Sequence, residues 1–142
     1  MKMAIQQGGL DMAAVTASLQ DDRCGAAVVF EGRVRNHNEG RDVTGLEYEA
    51  HEPLAVSEGE VVLAEAARRW PIRDAVCVHA VGTLEIGAVA VVVGVIGDHR
   101  GEAFEAARFI IDEIKARLPI WKREHYVDGP AEWVNCQRPV ID

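Results

Sequence analysis

From Gly87 to Gly97 the chain reads GAVAVVVGVIG, eleven residues without one polar side chain. This run falls far short of the ~20 apolar residues a membrane helix needs. Its β-rich composition and length make it a strand buried on both faces. A second β-rich run, AVCVHAV at Ala75 to Val81, precedes it, separated by GTLEIGA. Strands that follow one another this closely pair as hairpins, so the sheet should be mostly antiparallel.

Helical patterns lie on either side of this pair. The clearer runs from Glu102 to about Leu118, with Phe104, Ala107, Ile111, Ile114 and Leu118 recurring at helical spacing, so that face should pack on the sheet. Pro119 ends it. An earlier helix is expected from about Pro53 to Trp70, with Val56, Leu63, Ala67 and Trp70 on one stripe, weakened slightly by Gly59 and stopped by Pro71. A short one, Leu10 to Leu19, starts from Asp11 as N-cap. Ala26–Arg35 and the segment from Val43 to His51 alternate apolar and polar residues across the loop NHNEGRD, which predicts that they pair with each other. At 142 residues the chain should form one domain, 1–142, with the residues from about 120 as a C-terminal tail holding one short strand. The fold class is α+β.

Net charge is −8, which argues against general nucleic-acid binding. The start, MKMAIQQGG, has no hydrophobic segment after its lysine, which points to no secretory signal and a cytoplasmic protein. Cys24, Cys77 and Cys136 are far apart and form no C-x-x-C, consistent with reduced thiols. Cys77-Val78-His79 would put a thiol and an imidazole on one face of a strand, where a core thiol beside an edge histidine is the ordinary reading and a metal pair the weaker one.

The cations are gathered. Arg33, Arg35 and Arg41, then Arg100, then Lys115, Arg117, Lys122 and Arg123 make up eight of the fifteen Lys and Arg residues in three stretches, which suits a small anion. In KARLPIWKRE, Lys115 lies about 20° past Phe104 at ~100° per residue, at the edge of the apolar stripe and so half-buried. Two readings stand: Lys115 complements the negative helix end and snorkels over the core, or it works in a site with Lys122. In GDHRGEAFEA a strand turns into a helix, where free N–H groups beside His99 and Arg100 suit a phosphate or carboxylate. There, too, Asp98 or His99 could simply cap the helix. His37 and His51 read as structural or solvated. No P-loop, nucleophile elbow or paired-carboxylate motif occurs, so the chemistry available is that of lysine as acid, base or nucleophile on an anionic substrate.

FEGRVRNHNEGRDVTGLEYEAHEPLA, then RRWP, GTLEIGAVAVVVGVIGDHRGEAFEAARFIIDEIKARLPIWKRE and EWV resemble the catalytic, large subunit family of molybdopterin synthase, over about Gly25 to Val134. The resemblance implies an α/β hammerhead fold. It also implies a homodimer flanked by two copies of a small ubiquitin-like sulfur carrier, a heterotetramer. The carrier's C-terminal Gly-Gly thiocarboxylate delivers sulfur to cyclic pyranopterin monophosphate, and two transfers make the molybdopterin dithiolene. No cofactor or metal is implied. By motif, Lys115 and Lys122 correspond to the catalytic lysines, and Arg35, His99 and Arg100 to anion-binding residues, with Arg69 of RRW also at the site. The tail reads WVNCQRP, so Arg138 is a displaced candidate for an arginine that reaches the neighbouring subunit's site. A family member that only binds the carrier is the alternative, and a lysine Schiff-base enzyme, separable by borohydride trapping, a more distant one.

Overall fold

The computed structural model describes residues 1–135. Its elements run β1 (Lys2–Gln7), α1 (Met12–Thr16), β2 (Ala26–Arg33), β3 (His37–Asn38), β4 (Arg41–Ala50), α2 (Glu52–Arg69), β5 (Ile72–Glu85), β6 (Val89–Gly97), α3 (Arg100–Arg117), β7 (Ile120–Tyr126) and β8 (Glu132–Asn135). The eight strands form one sheet in the order β2-β6-β5-β4-β7-β8, with β1 added to β5 and β3 to β4. Every pairing is antiparallel except β1 with β5. The architecture is α+β, as expected.

The apolar run behaves as its composition demands. Ala90 to Gly97 are all buried, between β2 on one side and β5 on the other. One face of this sheet carries α2 and α3 over Ala75, Cys77, Val91, Val93 and Val95. The other packs Val76, Val78, Ala80 and Val92 with Leu10, Val15 and Leu19 near α1. Burying side chains such as Leu63 and Ile110, 2% and 0% exposed, contributes roughly 1.5–3 kcal/mol each.

The helices begin and end where their signals lie. Asp11 accepts a hydrogen bond from the Ala13 N–H and caps α1. His51, read as merely structural or solvated, caps α2 by accepting from the Leu54 N–H at 3.3 Å. The expected stripe of α3 is buried at Ala107, Ile111, Ile114 and Leu118 and fails only at Phe104, whereas that of α2 is buried only at Leu63. In α2 the buried residues are Ala55, Gly59, Val62, Leu63 and Ala66, which share Leu63 with the expected set and otherwise lie to one side of it. Gly59 is where the Met3 side chain of β1 lies, and a Cβ there would collide with it. In α3 the buried residues are Ala103, Ala106, Ala107, Ile110, Ile111 and Ile114, and Phe104 is 59% exposed.

Two expectations about strands fail. The segments on either side of NHNEGRD do not pair with each other. β2 lies at the sheet edge against β6, while β4 pairs with β5 and β7. Alternation shows that a segment is a strand but does not choose its partner. Across the loop only a small hairpin forms, His37–Asn38 against Arg41–Asp42, turning through Glu39 and Gly40, both at positive φ (50° and 78°), as a two-residue turn of this hand requires. The segment from 120 holds two strands, not one, and β7 is interior, with β4 on one side and β8 on the other.

Candidate active site

Pro119 breaks α3 as its missing N–H dictates. The helix ends at Arg117, Leu118 turns extended (φ −77°, ψ 140°), and the chain enters β7 at Ile120. Lys115 therefore leaves the last turn of a helix and Lys122 leaves a strand, and both line one cavity of about 320 Å³. Arg35, just beyond β2, lines the same cavity, along with Asn38, Tyr48, His79 and Glu124.

The floor of the cavity is a polar chain built on β7. Alternation puts Ile120, Lys122 and Glu124 on one side of the strand, toward the cavity. The Glu124 carboxylate is 2% exposed. Its Oε1 accepts from Asn38 Nδ2 at 2.8 Å and lies 3.2 Å from Lys122 Nζ. Asn38 Oδ1 in turn accepts from Arg35 Nη2 at 3.0 Å. One buried carboxylate thus fixes Lys122 directly and Arg35 through an amide. Glu124 Oε2 is buried without a hydrogen-bond partner among the described residues. Such a group costs on the order of 1–3 kcal/mol, so the network is held at the expense of stability.

His79 stands on the wall, 8% exposed. Its Nδ1 donates to the Ala80 carbonyl at 2.7 Å, and its ring meets Tyr48 edge-on, centroids 4.8 Å apart. Burial, aided by the positive charge of Lys115 and opposed by the Ala80 bond, lowers its pKa to about 4, so the ring is neutral at pH 7. Cys77 shares the face of β5 but sits in the core, where burial pushes its thiol up to about 12. Among the described residues no group of three or more His, Cys, Asp or Glu is placed to hold a metal.

Lys115 is exposed, not half-buried. At ~100° per residue the buried arc of α3 centres near Ile114, and Phe104 and Lys115 both lie just beyond its edge. His99 and Arg100 do not line the cavity. They begin α3, and ~1.5 Å of rise per residue puts them roughly 22 Å from Lys115 along the helix axis. His99 is the N-cap without a side-chain cap bond, and Asp98 is taken by Arg73 through two hydrogen bonds of 2.8 and 2.9 Å. Arg69 stacks over Phe109 at 4.6 Å and also lies outside the cavity lining. Arg138 falls outside the described residues. Sequence reasoning missed Asn38, His79 and Glu124. Only Glu124 left a signal, sharing the parity of Lys122 on β7.

The family model described as MoaE protein matches residues 5–117. The chain is 39% identical over 133 residues to the molybdopterin synthase catalytic subunit of Nostoc sp., covering 93% of this chain and 81% of that one. The crystal structure of molybdopterin synthase from Staphylococcus aureus superposes with a TM-score of 0.84 at 32% identity, over 94% of this chain and 95% of that chain. A complex of subunits 1 and 2 of molybdopterin-converting factor from Helicobacter pylori matches with a TM-score of 0.73 at 25% identity, over 89% and 90% of the two chains.

Proposed function

The chain belongs to the MoaE protein family, and from that premise we propose the reaction its cavity carries out. It is the catalytic subunit of a molybdopterin synthase, a sulfur-transferring enzyme of molybdenum cofactor biosynthesis. It takes sulfur from the C-terminal thiocarboxylate of a small ubiquitin-like partner and places it on cyclic pyranopterin monophosphate. The observation that carries this reading is the convergence of Lys115, Lys122 and Arg35 on one cavity from a helix end, a strand and a loop.

Donor and acceptor are both anions, and bringing them together costs Coulomb energy that grows as water leaves. Lys122 and Arg35, pre-set by Glu124 and Asn38, offset that cost without rearranging. Transfer is complete once water cleaves the acyl–sulfur bond and frees the carrier as its carboxylate, but forming the carbon–sulfur bond at a carbon that bears oxygen first requires that oxygen to leave with a proton. Lys115, on a flexible stem at the rim, is the group that delivers it. Lys122 holds the anion beside it.

His99, Arg100 and Arg69 enter this reading through a second copy. The separation of the two ends of α3 keeps His99 and Arg100 out of their own cavity, so in a homodimer they serve the partner's. Each half of the proposed heterotetramer is then completed by the other.

The test is reconstitution. The purified protein is mixed with a thiocarboxylated small partner and cyclic pyranopterin monophosphate. Dithiolene product supports the reading, and partner binding without product favours a family member that only binds the carrier.

A further inference from the structure

We propose that His79 is a specificity-determining residue of this reaction, its ring Nε2 accepting a hydrogen bond from a ring N–H or amino group of the heterocyclic substrate. The inference rests on the pterin reading above and adds to it a contact on the donor edge of the ring, away from the phosphate.

The tautomer follows from one bond. A carbonyl oxygen can only accept, so the 2.7 Å contact with Ala80 places the hydrogen on Nδ1. The lone pair of the neutral ring is then on Nε2. Burial and the Lys115 charge keep the ring in that neutral form. Nε2 has no hydrogen-bond partner among the described residues, where the ring's one hydrogen bond is the Nδ1 contact with Ala80. His79 lines the cavity, and with Nδ1 turned to the Ala80 carbonyl, Nε2 is the ring nitrogen left to meet a ligand there. Tyr48, edge-on at 80°, fixes the plane of the ring and hence the direction of the lone pair.

The surroundings give this acceptor its value. Arg35, Lys115 and Lys122 line the same cavity and can only donate. They match phosphate and thiocarboxylate and offer nothing to an N–H. Glu124 is an acceptor, but its Oε1 is occupied by Asn38 and Lys122 and its Oε2 is closed off. A pterin carries N–H and amino donors as well as its anionic group, and a site that binds both ends distinguishes it from a simple phosphate.

The experiment measures dithiolene formation by the reconstituted complex at varied cyclic pyranopterin monophosphate. A wild-type complex that forms no dithiolene overturns the functional reading and with it the pterin contact. With the wild type active, His79→Phe, which keeps a ring against Tyr48 but no nitrogen, is expected to raise KM about tenfold or more. kcat should change less than about threefold, with partner binding intact. His79→Gln, whose side-chain carbonyl can accept, should recover part of the loss. An unchanged KM in folded His79→Phe overturns the proposal. If that variant does not fold, nitrogen-15 NMR of the wild type decides: the Nε2 resonance should move when cyclic pyranopterin monophosphate is added, and a resonance that stays in place at saturation overturns the proposal.

Discussion

The two ends of α3 both looked like anion sites in the sequence, and the fold treats them differently. At the N-terminal end, His99 caps the helix with no side-chain bond and Asp98 pairs outward with Arg73. Neither His99 nor Arg100 lines the cavity that Lys115 and Lys122 share. At the C-terminal end, Pro119 turns the chain so that β7 brings Lys122 to the cavity that Lys115 lines, and Glu124 ties Lys122 and, through Asn38, Arg35 into one network. Charge clustering marks both ends. What separates them is a buried carboxylate two positions after Lys122, which only a paired β7 can hold in place.

Removing the working group at the C-terminal end should have the largest effect. Lys115→Ala should lower sulfur transfer by at least about a hundredfold, with the small partner still bound on gel filtration. Lys122→Ala should cost somewhat less, about ten- to a hundredfold, and weaken pterin binding as well. Arg100→Ala, at the other end, should weaken pterin binding with little change in Tm. Mixing Lys115→Ala with Arg100→Ala subunits should then restore activity, because one composite site in each mixed dimer is intact. No recovery on mixing would contradict a site shared between the two copies.

Stability separates the regions again. The pKa of His79 falls from 6.5 to about 4 on folding, so between those values the unfolded chain binds the extra proton. The stabilisation from its neutral form is complete above pH ~6.5 and is lost as pH falls toward 4, by up to about 3 kcal/mol at ~1.4 kcal/mol per unit. His79→Phe should flatten the fall of Tm over that window. Around the outer end of the sheet Asp98 is held low by Arg73 and Asp21 by Arg23, so those carboxylates stabilise the fold at neutral pH and lose that contribution only as pH falls below the ordinary carboxylate range. The smallest effect expected is that of the triple Cys→Ser protein. It should keep most of its turnover, because Cys77 is sealed in the core and the proposed sulfur donor is the partner's thiocarboxylate.

Legibility in the sequence followed the same division. β6 and α3 were readable because each repeats one simple pattern long enough to exclude the other period. β7 was not, because its inward face is Ile120, Lys122 and Glu124. A strand that buries a charged pair looks like surface until Asn38 and β4 are in place. Gly59 read as a weak point of α2 and is instead the position that admits Met3. β2 and β4 were recognisable as strands, but their partners are fixed by contacts far along the chain. Lys115 and Lys122 were found by their company and by resemblance, whereas His79 read as an edge histidine beside a core thiol and is instead buried, 8% exposed, on the cavity wall.

The central claim is that Lys115 moves a proton during sulfur transfer and does not merely supply charge. Lys115→Arg keeps the charge, but guanidinium does not give up its proton at working pH. Single-turnover dithiolene formation, with the thiocarboxylated partner pre-bound, should show this variant nearly as slow as Lys115→Ala. A near-normal rate in Lys115→Arg would contradict the account and leave Lys115 as an electrostatic anchor only.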